Sequence, residues 1–301
     1  MADFDINNEP TVFVLGAGAS NPYGFPLSNQ LKYSIISAND NILNKCLAEK
    51  GYNETKIKQF KDALRYGDYG NIDFFLERKT SFREIGAYFI AHAIAQKETH
   101  EILFTQPNWY KILYNLFSLE NDGDEIPPLV IVTLNYDRSV EEFLSYYLEY
   151  NCPDIFLESG KRKLAKIKIV HAHGSIGIYE KVAYGKAGRD LISLHAAAQS
   201  IRIVSDSMES STDFQEAEKF IGNAHNIVFI GFGYNKITLE RLLKRTQTDQ
   251  VSLFGTGFQL RADTRLELQK MFQGKMKLGD EHINTVEFLK QLGYDAKSSR
   301  R

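Results

Sequence analysis

Short apolar runs recur along the chain and predict the strands of a buried sheet. They are continuous rather than alternating, which is typical of strands that are buried on both faces of a parallel sheet. The runs cover 11–18, 128–135, 166–174, 201–204, 226–233 and 251–257. Helical patterns follow several of them, at 138–150, 213–223, 236–246 and 262–272. This alternation predicts an α/β fold with a doubly wound, mostly parallel sheet.

Residues 27–119 interrupt the alternation, because apolar residues recur there at helical spacing, most clearly in 82–95 and 108–117. We expect a helical insertion or cap subdomain after the first strand, within one domain that covers 1–301. The segment 275–301 predicts a linker, one amphipathic helix and a basic tail.

Composition limits the partners that the chain can have. With 36 Lys and Arg against 38 Asp and Glu, the net charge is −2, which does not indicate nucleic acid or an anionic membrane as a direct partner. No apolar run approaches the ~18 residues that span a bilayer. The N-terminus is acidic and polar, unlike a signal peptide, so we expect a cytoplasmic protein.

The two cysteines, Cys46 and Cys152, are far apart and form no CxxC pair. A cysteine-rich zinc module is therefore not expected, and Cys46 is expected to be a buried structural thiol. No metal is expected at all.

A glycine turn follows the first strand. Gly16, Ala17 and Gly18 would let backbone amides approach a pyrophosphate closely. The full G-x-G-x-x-G pattern fails at Asn21, and no acidic residue ends a second strand about 20 residues later, so an ordinary NAD dehydrogenase is disfavoured. The turn is Rossmann-like without the dehydrogenase fingerprint.

The same loop continues with a hydroxyl at Ser20 and a second tight turn that contains Phe25 and Pro26. Both features are compatible with a loop that cradles phosphates and then folds over a ligand.

Asn135 and Asp137 come at the carboxyl end of the 128–135 strand, where open α/β sheets bind ligands. They either hydrogen-bond the turn or act on a ligand, and two such side chains together favour the ligand. Ser139 and Glu142 predict a capping box, which would start the next helix directly after Asp137.

His171 and His173 alternate on a predicted strand and would face opposite sides, which argues against their binding one metal together. His173 lies at the strand end and is the candidate for proton transfer; a core histidine is the other interpretation. Two further strand ends carry small or polar residues, namely Gly231, Gly233, Asn235 and Gly255.

Taken in order, "GAGAS…GFP", "TLNYD", "HGS" and "FIGFG" resemble the sirtuin family. The likeness is greatest to the sirtuin-like NAD hydrolase domains of bacterial anti-phage defence systems, and it runs from about Thr11 to Leu292. The resemblance implies that Asn135 and His173 are a catalytic pair. It also implies cofactor-binding roles for Gly16, Ala17, Gly18, Ser20, Phe25, Pro26, Asp137, Gly231, Gly233, Asn235 and Gly255.

Two departures from the deacylating sirtuins narrow the expected chemistry. Those proteins continue the first motif into a GIPDFR-like stretch, whereas this chain reads "GFPLSN" and lacks the Arg. They also carry a four-cysteine zinc ribbon, which two cysteines cannot build. The resemblance therefore favours cleavage of NAD over protein deacylation.

The function that the resemblance implies is an NAD glycohydrolase that gives nicotinamide and ADP-ribose or its cyclic form, with NAD as substrate. Such an enzyme would be a regulated, NAD-depleting effector of anti-phage defence. We then expect a homo-oligomer, or a partner protein such as an ATPase of the same system. The alternatives are a non-catalytic module that senses NAD or ADP-ribose and, less favoured, an NAD-dependent deacylase.

Overall fold

The computed structural model of the chain describes residues 8–105, 107–120, 123–179, 181–203 and 212–293. Its centre is a six-stranded sheet. The strands are β1 (Thr11–Leu15), β2 (Leu129–Thr133), β3 (Lys168–His171), β4 (Asn226–Ile230), β5 (Ser252–Gly255) and β6 (Lys277–Leu278). They lie in the order β3-β2-β1-β4-β5-β6, and every pairing is parallel. This is the strand order of a Rossmann-like, doubly wound sheet, so the predicted fold class is confirmed.

Fifteen α-helices surround the sheet in the described part of the chain. The first eight are α1 (Ala17–Ser20), α2 (Ser28–Ser37), α3 (Asn41–Glu49), α4 (Glu54–Tyr66), α5 (Ile72–Arg78), α6 (Arg83–Ala95), α7 (His100–Leu103) and α8 (Tyr110–Leu116). The others are α9 (Ser139–Asn151), α10 (Asp154–Leu164), α11 (Leu191–Ser200), α12 (Thr212–Gly222), α13 (Lys236–Leu242), α14 (Ala262–Met271) and α15 (Thr285–Gln291). None of these helices has the length and hydropathy needed to cross a membrane.

The continuous apolar pattern of β1 reflects burial on both faces of the sheet. Phe13 and Leu15 pack into one core with the helices that follow β1, while Val12 and Val14 pack into a second core with α12, α13 and α14. Apolar side chains therefore leave the strand in both directions, and no position on it faces water.

The helices α2 to α8 occupy the interval where the sequence predicts an insertion. Its central helix is α6, in which every residue from Ile85 to Ala95 is buried. It packs against α2, α3, α4, α5 and α11. Cys46 of α3 is buried beside this helix layer, as expected for a structural thiol.

Three details of the sequence prediction are wrong. Residues 201–203 form no strand, since Ile201 makes only an isolated antiparallel bridge to Gly174; Val204 lies outside the described residues. The short edge strand β6 lies in a segment that was predicted to be a linker. The 166–174 strand ends at His171, so His173 lies beyond it, in a turn.

The predicted capping box of α9 is also absent. Ser139 is the first helical residue instead of the cap, and its backbone N–H and hydroxyl both donate to the Asp137 carboxylate. Glu142 turns away and bonds His100 and Tyr179. At the other end of the chain α15 is the expected C-terminal helix, and the predicted tail at 294–301 lies outside the described residues.

The backbones of the turns after β1 and β4 approach each other closely. A Cβ atom added to Gly231, which has φ +58°, would lie 1.9 Å from the Ala19 nitrogen. A Cβ on Gly233 would meet nothing within 4 Å, and the backbone there is not left-handed.

We therefore expect Gly231→Ala to lower the free energy of unfolding by at least about 2 kcal/mol, because strain at a positive φ adds to a clash with backbone atoms. Gly233→Ala is the matched control and should leave stability unchanged or raise it by up to about 1 kcal/mol. Urea unfolding of both variants makes the comparison. Equal losses of stability in the two variants would show that the close approach of the two turns does not determine the cost of a side chain at Gly231.

Candidate functional site

A cavity of about 320 Å³ opens at the carboxyl ends of the central strands. Its walls come from the segments that follow β1, β2, β3 and β4, together with helix α5 of the insertion. The chain turns to opposite sides after β1 and β4, and in open α/β sheets this switch point is where ligands bind. The cavity is within the size range of small-molecule sites.

Ten of the thirteen predicted site residues line this one cavity. They are Gly16, Ala17, Ser20, Phe25, Pro26, Asn135, Asp137, His173, Gly233 and Asn235. Gly18, Gly231 and Gly255 do not line it.

The glycine turn serves packing more than the donation of amides. Gly16 N–H donates to Ile230 O at 2.9 Å, and Gly18 N–H donates to Gly231 O at 2.8 Å. A Cβ on either glycine would come within 2.8 Å of the Gly231 oxygen. Two of the amides that were predicted to meet a pyrophosphate are thus already used, whereas Ala17 N–H, the first of α1, has no acceptor within its helix.

Gly255 lies behind this arrangement rather than in the cavity. A Cβ there would come 2.1 Å from the Tyr234 hydroxyl, which donates to Thr256 O at 2.8 Å. Thr256 Oγ1 in turn accepts from Gly231 N–H at 2.9 Å. The end of β5 therefore supports the turn after β4 and does not face a ligand.

Asn135 is the polar group at the centre of the cavity. Its Nδ2 donates to Gly16 O and to Ser20 Oγ, both at 3.0 Å, which fixes the orientation of the amide. Both hydrogens of the amide are then used. No described residue donates to its Oδ1, so that oxygen is available to accept a hydrogen bond from a ligand.

His171 holds the backbone of Asn135 from behind. Its Nδ1 lies 3.1 Å from Asn135 O and its Nε2 lies 2.6 Å from Glu141 Oε1. Both ring nitrogens face acceptors, so the doubly protonated ring satisfies the geometry best. Burial alone would lower the pKa of His171, but the Glu141 carboxylate and the Asn135 carbonyl raise it above its ordinary value.

His173 lines the cavity, and its pKa shifts in the opposite direction. It is only 8% exposed, and burial lowers its pKa, assisted by the positive charge of Arg241 and opposed by Asp73. The nearby Leu134 backbone also opposes the lowering of the pKa. In the neutral ring one nitrogen is an acceptor, as a general base requires.

Asp137 is 6% exposed and burial raises its pKa, while hydrogen bonds from Ser139 and Ser20 lower it. Its carboxylate caps α9, so the turn-bonding interpretation is correct for one of its oxygens. It also lines the cavity, so a contact with a ligand remains open to it.

The helical insertion contributes to the site in two ways. Trp109, at the start of α8, donates from Nε1 to Ala19 O at 2.9 Å and so anchors the glycine turn. Asp73 of α5 lines the cavity and accepts from the Tyr136 hydroxyl, whose ring centroid is 6.2 Å from that of His173. The stretch 70–78 is both a helix start, capped by Asn71, and a rim of the cavity.

Sequence reasoning missed Tyr136, Glu77 and Arg241, all of which line the cavity. Arg241 could have been found, because it lies one turn beyond Ile237 in a helix that begins at a strand end. Glu77 is likewise one turn beyond Asp73. Helical spacing places each pair on one face.

The described residues contain no group of three or more His, Cys, Asp or Glu side chains that could hold a metal ion. His171 and His173 turn to different surroundings, the first to Glu141 and the second to the cavity.

The raised pKa of His171 predicts a pH-dependent contribution to stability. Because the folded pKa exceeds the unfolded one, the contribution is complete below about pH 6.5 and is lost as pH rises through the folded pKa. The loss of unfolding free energy caused by His171→Gln should therefore shrink as pH rises, measured by urea unfolding from about pH 5 to about pH 9. In a Glu141→Gln background the effect should lose most of its pH dependence. A loss that grows with pH would contradict this account.

Comparison with known proteins identifies no family: no protein-family model matches the chain, and no curated protein matches it either. Any assignment of function therefore rests on the motifs of the sequence and on the geometry of the cavity.

Proposed function

We propose that the chain is an NAD glycohydrolase. The observation that carries the proposal is the convergence, in one cavity, of the glycine turn, the Asn135 amide with an available oxygen, and His173 with a lowered pKa. The ordered motifs that resemble sirtuin-like NAD hydrolases point to the same two side chains. NAD is the substrate in this proposal.

The lining of the cavity offers both polar and apolar groups to such a ligand. Asn135, Asp137 and His173 are polar lining residues, and in this proposal they contact the nicotinamide ribose. Gly233 and Asn235 lie at the turn before α13, where the phosphates and the second ribose run. The apolar lining that suits flat rings comes from Phe25, Pro26, Phe74 and Ile237.

In the proposed reaction the bond between the nicotinamide nitrogen and the ribose anomeric carbon breaks, and water attacks that carbon. The attacking water gives one proton to His173. In total, NAD and water give ADP-ribose, nicotinamide and one proton. Asn135 Oδ1 accepts a hydrogen bond from a ribose hydroxyl or from the attacking water. The positive charge that develops on the sugar lies near the carboxylates of Asp73 and Asp137, which stabilise it electrostatically.

The proposal includes regulation, because an uncontrolled NAD hydrolase would deplete the NAD of its own cell. Control by self-assembly or by a partner such as an ATPase, in the cytoplasm and in anti-phage defence, follows from the resemblance alone. A cyclic product would form if a hydroxyl or ring nitrogen of the same ligand, instead of water, attacked the anomeric carbon.

We expect the purified chain to release nicotinamide from NAD, and Asn135→Ala and His173→Ala each to reduce the rate by about 100-fold or more, since removal of a general base or an orienting group has effects of that order. Nicotinamide is measured by liquid chromatography, over a range of protein concentrations so that self-assembled forms are included. NADP and an acetyl-lysine peptide with NAD are run in parallel.

Asn151→Ala and His282→Ala are the matched controls, because both residues are exposed and neither lines the cavity. They should retain full activity. Binding of ADP-ribose without nicotinamide release would favour the sensor module, and deacylation of the peptide would favour the deacylase.

The lowered pKa of His173 predicts the acid side of the pH profile. The neutral base persists below the ordinary pKa of a histidine, so kcat/KM for NAD should begin to fall only below about pH 6.5. Steady-state rates across pH test this. An acid limb above that value would mean that His173 is not the base.

A further inference from the structure

An ion pair at the wall of the cavity joins helix α5 of the insertion to helix α13. Arg241 Nη2 of α13 lies 2.7 Å from Glu77 Oε1 of α5. Both residues line the cavity, and their side chains are only 21% and 16% exposed. The pair is thus partly withdrawn from water and in contact with the space that a ligand would fill.

Arg241 is the only Lys or Arg among the described residues that line the cavity. Three carboxylates line the same cavity, those of Asp73, Glu77 and Asp137. A ligand that carries phosphate groups therefore meets one fixed cation and several anions. Without Arg241 the charge of the cavity would oppose such a ligand.

The glycine turn does not replace this cation, since the N–H groups of Gly16, Gly18 and Ala19 already donate to Ile230, Gly231 and Gly16 carbonyls. Only part of the usual phosphate cradle is left. Arg241 is then the strongest donor that the cavity offers to an anion.

Glu77 is positioned to hold the guanidinium of Arg241. Arg83 donates from Nε to Leu76 O at 3.2 Å and from Nη2 to Glu77 O at 3.3 Å, which fixes the last turn of α5. A paired carboxylate offsets part of the cost of withdrawing the guanidinium from water. The diphosphate linkage of NAD or ADP-ribose carries two negative charges, whereas the Glu77 carboxylate carries one. Its oxygens can also accept two parallel bonds from a guanidinium, so the diphosphate can replace Glu77.

We propose that Arg241 recognises the diphosphate of the ligand and that Glu77 is its resident competitor, replaced when the ligand binds. The site then selects nucleotides that carry a diphosphate and rejects the corresponding nucleosides. That the ligand is NAD rests on the proposed function, whereas recognition of a diphosphate by Arg241 does not.

The test uses ADP-ribose and adenosine as probes, with the full chain and isothermal titration calorimetry. Arg241→Gln should weaken ADP-ribose binding by about 10- to 100-fold, the loss of a charge-assisted contact, and leave adenosine binding unchanged. Arg241→Lys should recover only part of the affinity, because an ammonium cannot make the paired contact. Glu77→Gln should strengthen ADP-ribose binding severalfold, because the competitor is gone.

Recognition predicts opposite changes of ADP-ribose affinity in the two variants, whereas a structural role does not. If Arg241→Gln and Glu77→Gln weaken ADP-ribose and adenosine alike, the pair is a strut between α5 and α13 and the proposal is overturned. Unchanged ADP-ribose affinity in Arg241→Gln overturns it as well. If Arg241→Gln does not fold, the double variant Glu77→Gln/Arg241→Gln removes both charges together and should show the same selective loss.

Failure of this proposal is distinct from failure of the proposed function. If the chain binds ADP-ribose through Arg241 but leaves NAD intact, the diphosphate site is supported and the hydrolase function is contradicted. If the chain cleaves NAD with the same KM in wild type and Arg241→Gln, the hydrolase function is supported and the role of Arg241 is contradicted.

Discussion

The candidate site depends on one contact, the approach of the turn after β1 to the turn after β4. Gly16 and Gly18 lie against the backbone of Gly231 with no room for a side chain on any of the three. Because β1 and β4 are neighbours at the centre of the sheet, this contact fixes the floor of the cavity at the switch point of the fold. The same contact holds the Gly16 carbonyl in place, and this carbonyl orients the Asn135 amide by accepting a hydrogen bond from it.

Further hydrogen bonds support this arrangement. Trp109 donates a hydrogen bond to the glycine turn. His171, which pairs with Glu141, hydrogen-bonds the backbone of Asn135. The two histidines of "HAH" therefore have different roles: His171 supports the backbone of Asn135, and His173 lines the cavity. Burial alone would lower the pKa of both, and the neighbouring Glu141 carboxylate is what separates them.

The sequence predicted the fold class and ten of the residues that line the cavity, because continuous apolar strands and polar strand ends leave strong local patterns. The differences between prediction and structure have physical causes. A glycine at a strand end looks the same in the sequence whether it makes room for a phosphate or for another part of the protein, and only the packing distinguishes the two cases. This applies to Gly18, Gly231 and Gly255. Residue Ile201 lies in an apolar run that is too short to separate a strand from a single bridge.

The wall formed by α5 could not be predicted from strand ends. Asp73 and Glu77 belong to an insertion whose packing depends on contacts far apart in sequence, such as the ion pair to Arg241. These contacts make the insertion part of the cavity, and in the proposed reaction Asp73 is the carboxylate of the insertion that lies near the oxocarbenium-like sugar.

The most direct test of the hydrolase account is to incubate the purified chain with NAD in oxygen-18 water and to identify all products by mass spectrometry. The account predicts one nicotinamide for each NAD consumed, together with ADP-ribose that carries one oxygen-18 atom or its unlabelled cyclic form, and neither product from Asn135→Ala. NAD that stays intact with a folded chain that binds ADP-ribose would contradict it.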